Sequence, residues 1–101
     1  MGCKIAVIGV GNMAKAIISG VLNSNLTIDH FFLYDKFTEA CDSFSSIQNI
    51  SISNSIEEAV SSADYVLLSV KPQNYTEVID TIKTIPTHSN KIYIFTMLQE
   101  I

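Results

Sequence analysis

Five short apolar runs, separated by segments of helical period, constrain this chain more than any other feature. The first, Cys3 to Ile8, is almost continuously apolar, as expected of a strand buried on both faces. Phe31 to Tyr34, Ile50 to Ser53, Tyr65 to Val70 and Ile92 to Met97 repeat the signal. After the first run, Met13, Ala14, Ile17, Ile18, Val21 and Leu22 recur at helical spacing, with the helix starting near Asn12, a good capping residue. Phe37, Ala40, Cys41 and Phe44 fall on one face of a second predicted helix. Ser55 and Glu58 make a capping box, which predicts a third helix from Ile56 to about Ser62. Tyr75, Val78, Ile79 and Ile82 predict a fourth. Pro72 ends the strand before it, because proline donates no ladder hydrogen bond, and Pro86 closes the helix from beyond.

Strands that alternate with helices need crossover connections, hence a parallel sheet with helices on both faces. The expected fold is α/β: a doubly wound parallel sheet of five strands in the order 3-2-1-4-5. Its ligand crevice should lie beside the first strand, where the winding reverses. At 101 residues the chain is one domain, and with 48% hydrophobic residues it is not a disordered one. Its net charge of -4 argues against a nucleic-acid binder, which needs a basic face, but leaves room for one local phosphate site. Two cysteines, Cys3 and Cys41, make neither a disulfide scaffold nor a four-cysteine zinc site, and no cluster of Cys and His offers metal ligands. No apolar run reaches the ~18 residues of a membrane helix. With no secretory signal, the expectation is a cytoplasmic protein with reduced thiols.

Gly9-Val10-Gly11-Asn12-Met13-Ala14 is the dinucleotide fingerprint in its G-x-G-x-x-A form. It sits between a buried strand and a helix, the context that the motif requires, and marks the fold as Rossmann-type. Gly9 permits the tight turn, Gly11 removes a side chain that would block a pyrophosphate, and Ala14 lets helix and strand lie close. The N–H groups of Asn12, Met13 and Ala14 then point at the anion, assisted by the helix dipole. Asp35, at the end of the second strand, stands where an adenosine ribose is read, and a carboxylate there selects NAD. Lys36 follows and suits the 2′-phosphate of NADP instead. The pair also reads as an ordinary solvated turn, so the expected cofactor is NADP or NAD.

Two stretches resemble the pyrroline-5-carboxylate reductase family. One is Ile8-Gly9-Val10-Gly11-Asn12-Met13-Ala14-Lys15-Ala16-Ile17-Ile18-Ser19-Gly20; the other is Ala63-Asp64-Tyr65-Val66-Leu67-Leu68-Ser69-Val70-Lys71-Pro72-Gln73. The resemblance implies a reductase that converts the cyclic imine 1-pyrroline-5-carboxylate to L-proline with NAD(P)H, the last step of proline synthesis. It implies that Gly9, Val10, Gly11, Asn12, Met13 and Ala14 hold the pyrophosphate. Asn54 would contact the adenosine end, and Ser69, Val70, Lys71 and Pro72 would lie along the nicotinamide ribose. Independently of the resemblance, Lys71 also reads as a snorkelling surface lysine, and Asn54 as a turn residue.

The same resemblance covers only the family's cofactor domain, residues 1–101 here. The family's Ser-x-x-Ala-Gly stretch is not matched by Phe95-Thr96-Met97-Leu98-Gln99-Glu100-Ile101. The family's C-terminal helical domain, which dimerises and supplies much of the substrate pocket, is absent from these residues, so little or no turnover by this chain alone is expected. His30 and His88 read as surface residues, and no catalytic acid or base is assigned. A non-catalytic nucleotide-binding module, or the cofactor domain of another NAD(P)-dependent reductase, fits the same residues. Tyr93, Phe95, Met97, Leu98 and Ile101 gather apolar surface near the last strand, which predicts self-association through that end.

Overall fold

The computed structural model describes residues 3–24, 28–86 and 90–95. Among the described residues the elements run β1 (Cys3–Ile8), α1 (Asn12–Leu22), β2 (Ile28–Tyr34), a 3₁₀ segment (Thr38–Phe44), β3 (Ile50–Ile52), α2 (Ile56–Ser61), β4 (Tyr65–Leu68), a 3₁₀ turn (Pro72–Asn74), α3 (Tyr75–Lys83) and β5 (Ile92–Phe95). The strands form a single sheet in the order β3-β2-β1-β4-β5, and every neighbouring pair is parallel. The expected doubly wound topology is therefore the observed one.

The sheet separates two apolar cores, and the side-chain period of two sorts residues between them. Ala6 and Ile8 of β1 join Val66 and Leu68 of β4 under α2 and α3, against Ala59, Val60, Val78 and Ile82. Val7, between them in sequence, faces the opposite core with Ala14, Ile18, Phe31, Leu33, Cys41 and Phe44. β1 is thus covered on both faces, which is why its sequence lacks the polar alternation of a half-exposed strand. On α1 the buried residues Ala14 and Ile18 are four apart, one turn of the same face. The small Ala14 side chain, fully buried, permits close approach of helix to sheet.

Several boundaries differ from the predicted ones. α1 is preceded by Gly11 as its N-cap, with Asn12 as the first helical residue, and no side chain caps it. The segment after β2 is a 3₁₀ helix, so Cys41 and Phe44, three apart, share its buried face. Phe37 lies outside that segment, 63% exposed, and is not part of the core. β4 stops at Leu68, two residues early, although the Ser69 N–H still donates to the Ile8 carbonyl at 2.9 Å. The capping box of α2 is present: the Glu58 N–H donates to Ser55 Oγ at 3.1 Å. Glu58 Oε2 accepts from the Asn54 N–H at 3.3 Å, one residue ahead of the cap. β5 is described as far as Phe95; Thr96 to Ile101, and His88, lie outside the described residues. Among the described residues no helix is long and apolar enough to cross a membrane, and no three His, Cys, Asp or Glu side chains gather as metal ligands.

Candidate functional site

The winding reverses between β1 and β4, which stay paired as far as Ile8 and Leu68, and Gly9 follows directly after β1. Its φ is +93°, a conformation that disfavours any side chain. A Cβ built there would stand 2.7 Å from the Ser69 carbonyl oxygen and 2.9 Å from Val70 Cγ1. The loop after β1 therefore packs directly against the loop after β4. Gly11 differs in kind. Its φ is −93°, and a Cβ there would meet nothing within 4 Å. Absence of a side chain at Gly11 keeps space open in front of the helix rather than permitting contact with protein.

The first hydrogen bond of α1 is from the Lys15 N–H to the Gly11 carbonyl at 2.9 Å. The N–H groups of Asn12, Met13 and Ala14 precede it and have no carbonyl partner within the helix. No acidic residue lies in the first turn to compete for the positive end of the helix dipole. The opening beside them is lined by Gly11, Asn12, Met13, Ser69, Val70, Lys71, Pro72 and Gln73. Two of the predicted stretches, from opposite ends of the sequence motif pair, thus form one opening.

A second groove of about 380 Å³ adjoins it and shares Gly11, Ser69, Val70 and Lys71. Its floor is apolar, from Ile8, Ile56, Val70 and Val78, and its rim carries Asp35, Lys36, Phe37, Asn74 and Glu77. The Asp35 carboxylate is used by the main chain. Oδ2 accepts from the Val10 N–H at 2.7 Å, and Oδ1 accepts from the Phe37 N–H at 2.8 Å. The Val10 amide is consequently directed at Asp35. Lys36 is exposed on the rim, and the chain contains no arginine.

Of the residues expected to line the site, Val10, Ala14 and Asn54 lie apart from both openings: Val10 and Ala14 are buried, and Asn54 is exposed just ahead of α2, where Ile56 lines the groove. Phe37, Tyr34, Ile56, Asn74 and Glu77 line the apolar groove without having been expected at the site. For Phe37 a signal existed, a bulky aromatic two residues past a strand end, but its apparent helical spacing assigned it to the core. His30 is bonded elsewhere: its Nε2 lies 2.6 Å from Ser51 Oγ on the neighbouring strand. Cys41 is fully buried. Burial, then the carboxylates of Asp35 and Asp42, push its thiol up against the opposing pull of Lys15, so it stays a thiol at neutral pH.

This arrangement fits a dinucleotide. It offers free main-chain amides at a helix start, clear space where a Cβ would intrude, and an apolar groove alongside. Pyrroline-5-carboxylate reductase from Staphylococcus epidermidis is 34% identical over 90 residues, which cover 87% of this chain and 33% of that protein. The structure of a pyrroline-5-carboxylate reductase from Coxiella burnetii superposes with a TM-score of 0.84 at 22% identity, over 97% of this chain and 36% of that one. The Plasmodium falciparum pyrroline carboxylate reductase, solved with NADP bound, gives 0.70 at 23% identity, over 94% of this chain and 33% of that one. The resemblance of the two sequence stretches is thus repeated over most of the chain, which spans about a third of the length of these curated relatives. The family described as NADP oxidoreductase coenzyme F420-dependent matches residues 4–99, and the chain belongs to it.

Proposed function

We propose that this chain is the dinucleotide-binding part of a cytoplasmic NAD(P)H-dependent pyrroline-5-carboxylate reductase, acting in proline synthesis on a cyclic imine carboxylate. The observation that carries the reading is the Gly11 opening, an unobstructed approach to the uncapped start of α1. The 34% identity to a reductase of that name supports the substrate class. The amides of Asn12, Met13 and Ala14 hold the pyrophosphate, and Ser69, Val70, Lys71 and Pro72 border the nicotinamide half. Asn54 stands outside both openings, and nothing in its placement supports a role at the adenosine end. The nicotinamide supplies a hydride to the imine carbon when bound.

Both forms of the cofactor are accepted on this reading, with NADPH favoured. Asp35 already has main-chain donors on each carboxylate oxygen, while Lys36 stands exposed on the rim of the groove. A 2′-phosphate would meet the cation, not a free carboxylate.

The test is calorimetric titration of the chain with NADPH and NADH, followed by addition of 1-pyrroline-5-carboxylate while absorbance of the reduced nicotinamide is recorded. Binding with little turnover is expected, because the relatives' activity belongs to chains of which this one covers about a third. Absence of binding to either nucleotide refutes the reading. Rapid proline formation by this chain alone would show that the rest of the relatives' length is not needed.

A further inference from the structure

We infer that Phe37 is the platform on which the adenine ring of the dinucleotide stacks, and that Asp35 is the positioning residue that sets it. The inference rests on the dinucleotide reading above and adds to it the seat of the base. Phe37 is the most exposed of the large apolar residues among those described, at 63%, and it lines the apolar groove. An aromatic ring left uncovered beside a groove of about 380 Å³ has the shape and chemistry to take a flat π-system. The groove also continues directly into the opening at Gly11, so a base and a diphosphate attached to it can occupy the two together.

Asp35 ties these two halves to one another. Its two oxygens hold the Phe37 N–H at 2.8 Å and the Val10 N–H at 2.7 Å. One carboxylate thereby fixes the main chain that carries the ring and the main chain that opens the phosphate loop. Charge-assisted bonds to main-chain amides are short and directional, so both are held ahead of ligand arrival. An acidic residue at this strand end is ordinarily read as a ribose acceptor; here its acceptors are turned to the protein.

The experiment measures NADPH dissociation constants for the wild-type chain and for Phe37→Ala, Phe37→Trp, Phe37→Leu, Asp35→Asn and the Asp35→Asn/Phe37→Ala double variant. Stacking on one aromatic ring corresponds to roughly a ten-fold effect or more. Phe37→Ala should weaken binding about ten-fold, Phe37→Trp should restore it, and Phe37→Leu, apolar but without a ring, should not. Phe37 is exposed, so these variants test the platform even if Asp35→Asn fails to fold. Asp35→Asn should weaken binding, and adding Phe37→Ala to it should cost little more. Wild-type affinity in Phe37→Ala, or equal rescue by Leu and Trp, overturns the platform while leaving the dinucleotide reading intact. Additive losses in the double variant overturn the positioning role of Asp35. A wild-type chain that binds no NADPH overturns both readings.

Discussion

Asp35 and Val10, 25 residues apart in sequence, are joined by a 2.7 Å hydrogen bond from the Val10 N–H to Asp35 Oδ2. The bond fastens the end of β2 to the loop after β1, beside the 2.8 Å bond from the Gly9 N–H to the Tyr34 carbonyl. Asp35→Ala leaves two main-chain donors without this acceptor. It should lower stability by about 1–3 kcal/mol, read as a shift in urea midpoint. An unchanged midpoint would mean that water replaces the carboxylate at no cost.

The two glycines of the loop should separate folding from binding. Gly9→Ala forces a side chain into a left-handed conformation and into the Ser69 carbonyl, so a stability loss of more than ~1–2 kcal/mol is expected. A Cβ at Gly11 meets nothing within 4 Å, so Gly11→Val should leave the thermal midpoint nearly unchanged while NADPH binding falls below detection. Firm coenzyme binding by a folded Gly11→Val chain is the outcome that contradicts a diphosphate seat there.

Lys36 is the residue expected to separate the two nicotinamide cofactors. Lys36→Glu should reduce the ratio of NADPH to NADH affinity about ten-fold or more, because a charge-assisted contact is exchanged for repulsion. Parallel titrations of both cofactors check this, and a constant ratio would remove Lys36 from cofactor selection.

Cys41 should make stability fall in alkali. Its thiol titrates above the ordinary value of 9.0 in the folded chain, through burial first and then Asp35 and Asp42. The unfolded chain loses that proton first. The stabilisation is therefore complete below pH 9.0 and declines as pH rises through the folded value. Burial raises Tyr93 from 10.0 in the same sense, adding a later decline. Urea midpoints from pH 7 to 11 should drop for the wild-type chain, with the earlier part of the drop missing in Cys41→Ala. At neutral pH, an alkylating reagent should label Cys3 before Cys41, since Cys41 is buried and Cys3 is not.

Self-association is expected through β5. This sheet edge exposes Ile92, Ile94 and Phe95 at 57%, 47% and 54%. An uncovered apolar edge strand is a ready pairing surface. Sedimentation velocity should show mass rising with concentration, and Ile94→Lys should abolish the rise. A monomer at every concentration would count against the interface.

Local chemistry was the legible part of this protein. Cys3–Ile8 and the Tyr75, Val78, Ile82 series declared their elements through periodicity, and Ser55 with Glu58 declared a helix start. The alternation of these elements led to the doubly wound order as an expectation, and the observed sheet matches it. What escaped depended on contacts distant in sequence or on fine pitch. Phe37, Cys41 and Phe44 suit a pitch of 3.6 on paper, yet three residues per turn places only the last two inward. Asn12 is a better capping residue than glycine in general, but the Gly9 turn brings Gly11 to the cap position. Whether Asp35 faces a ribose or the main chain was decided by Val10 and Phe37, and no local pattern encodes that choice.

The close approach of the Gly9 backbone to the Ser69 carbonyl also bears on the proposed site. One missing carbon atom determines how near the two lips of the crevice stand. Their spacing is set by the folded backbone. Docking should then proceed as a rigid key entering a finished slot, with affinity drawn from contacts instead of spent on rearranging the walls.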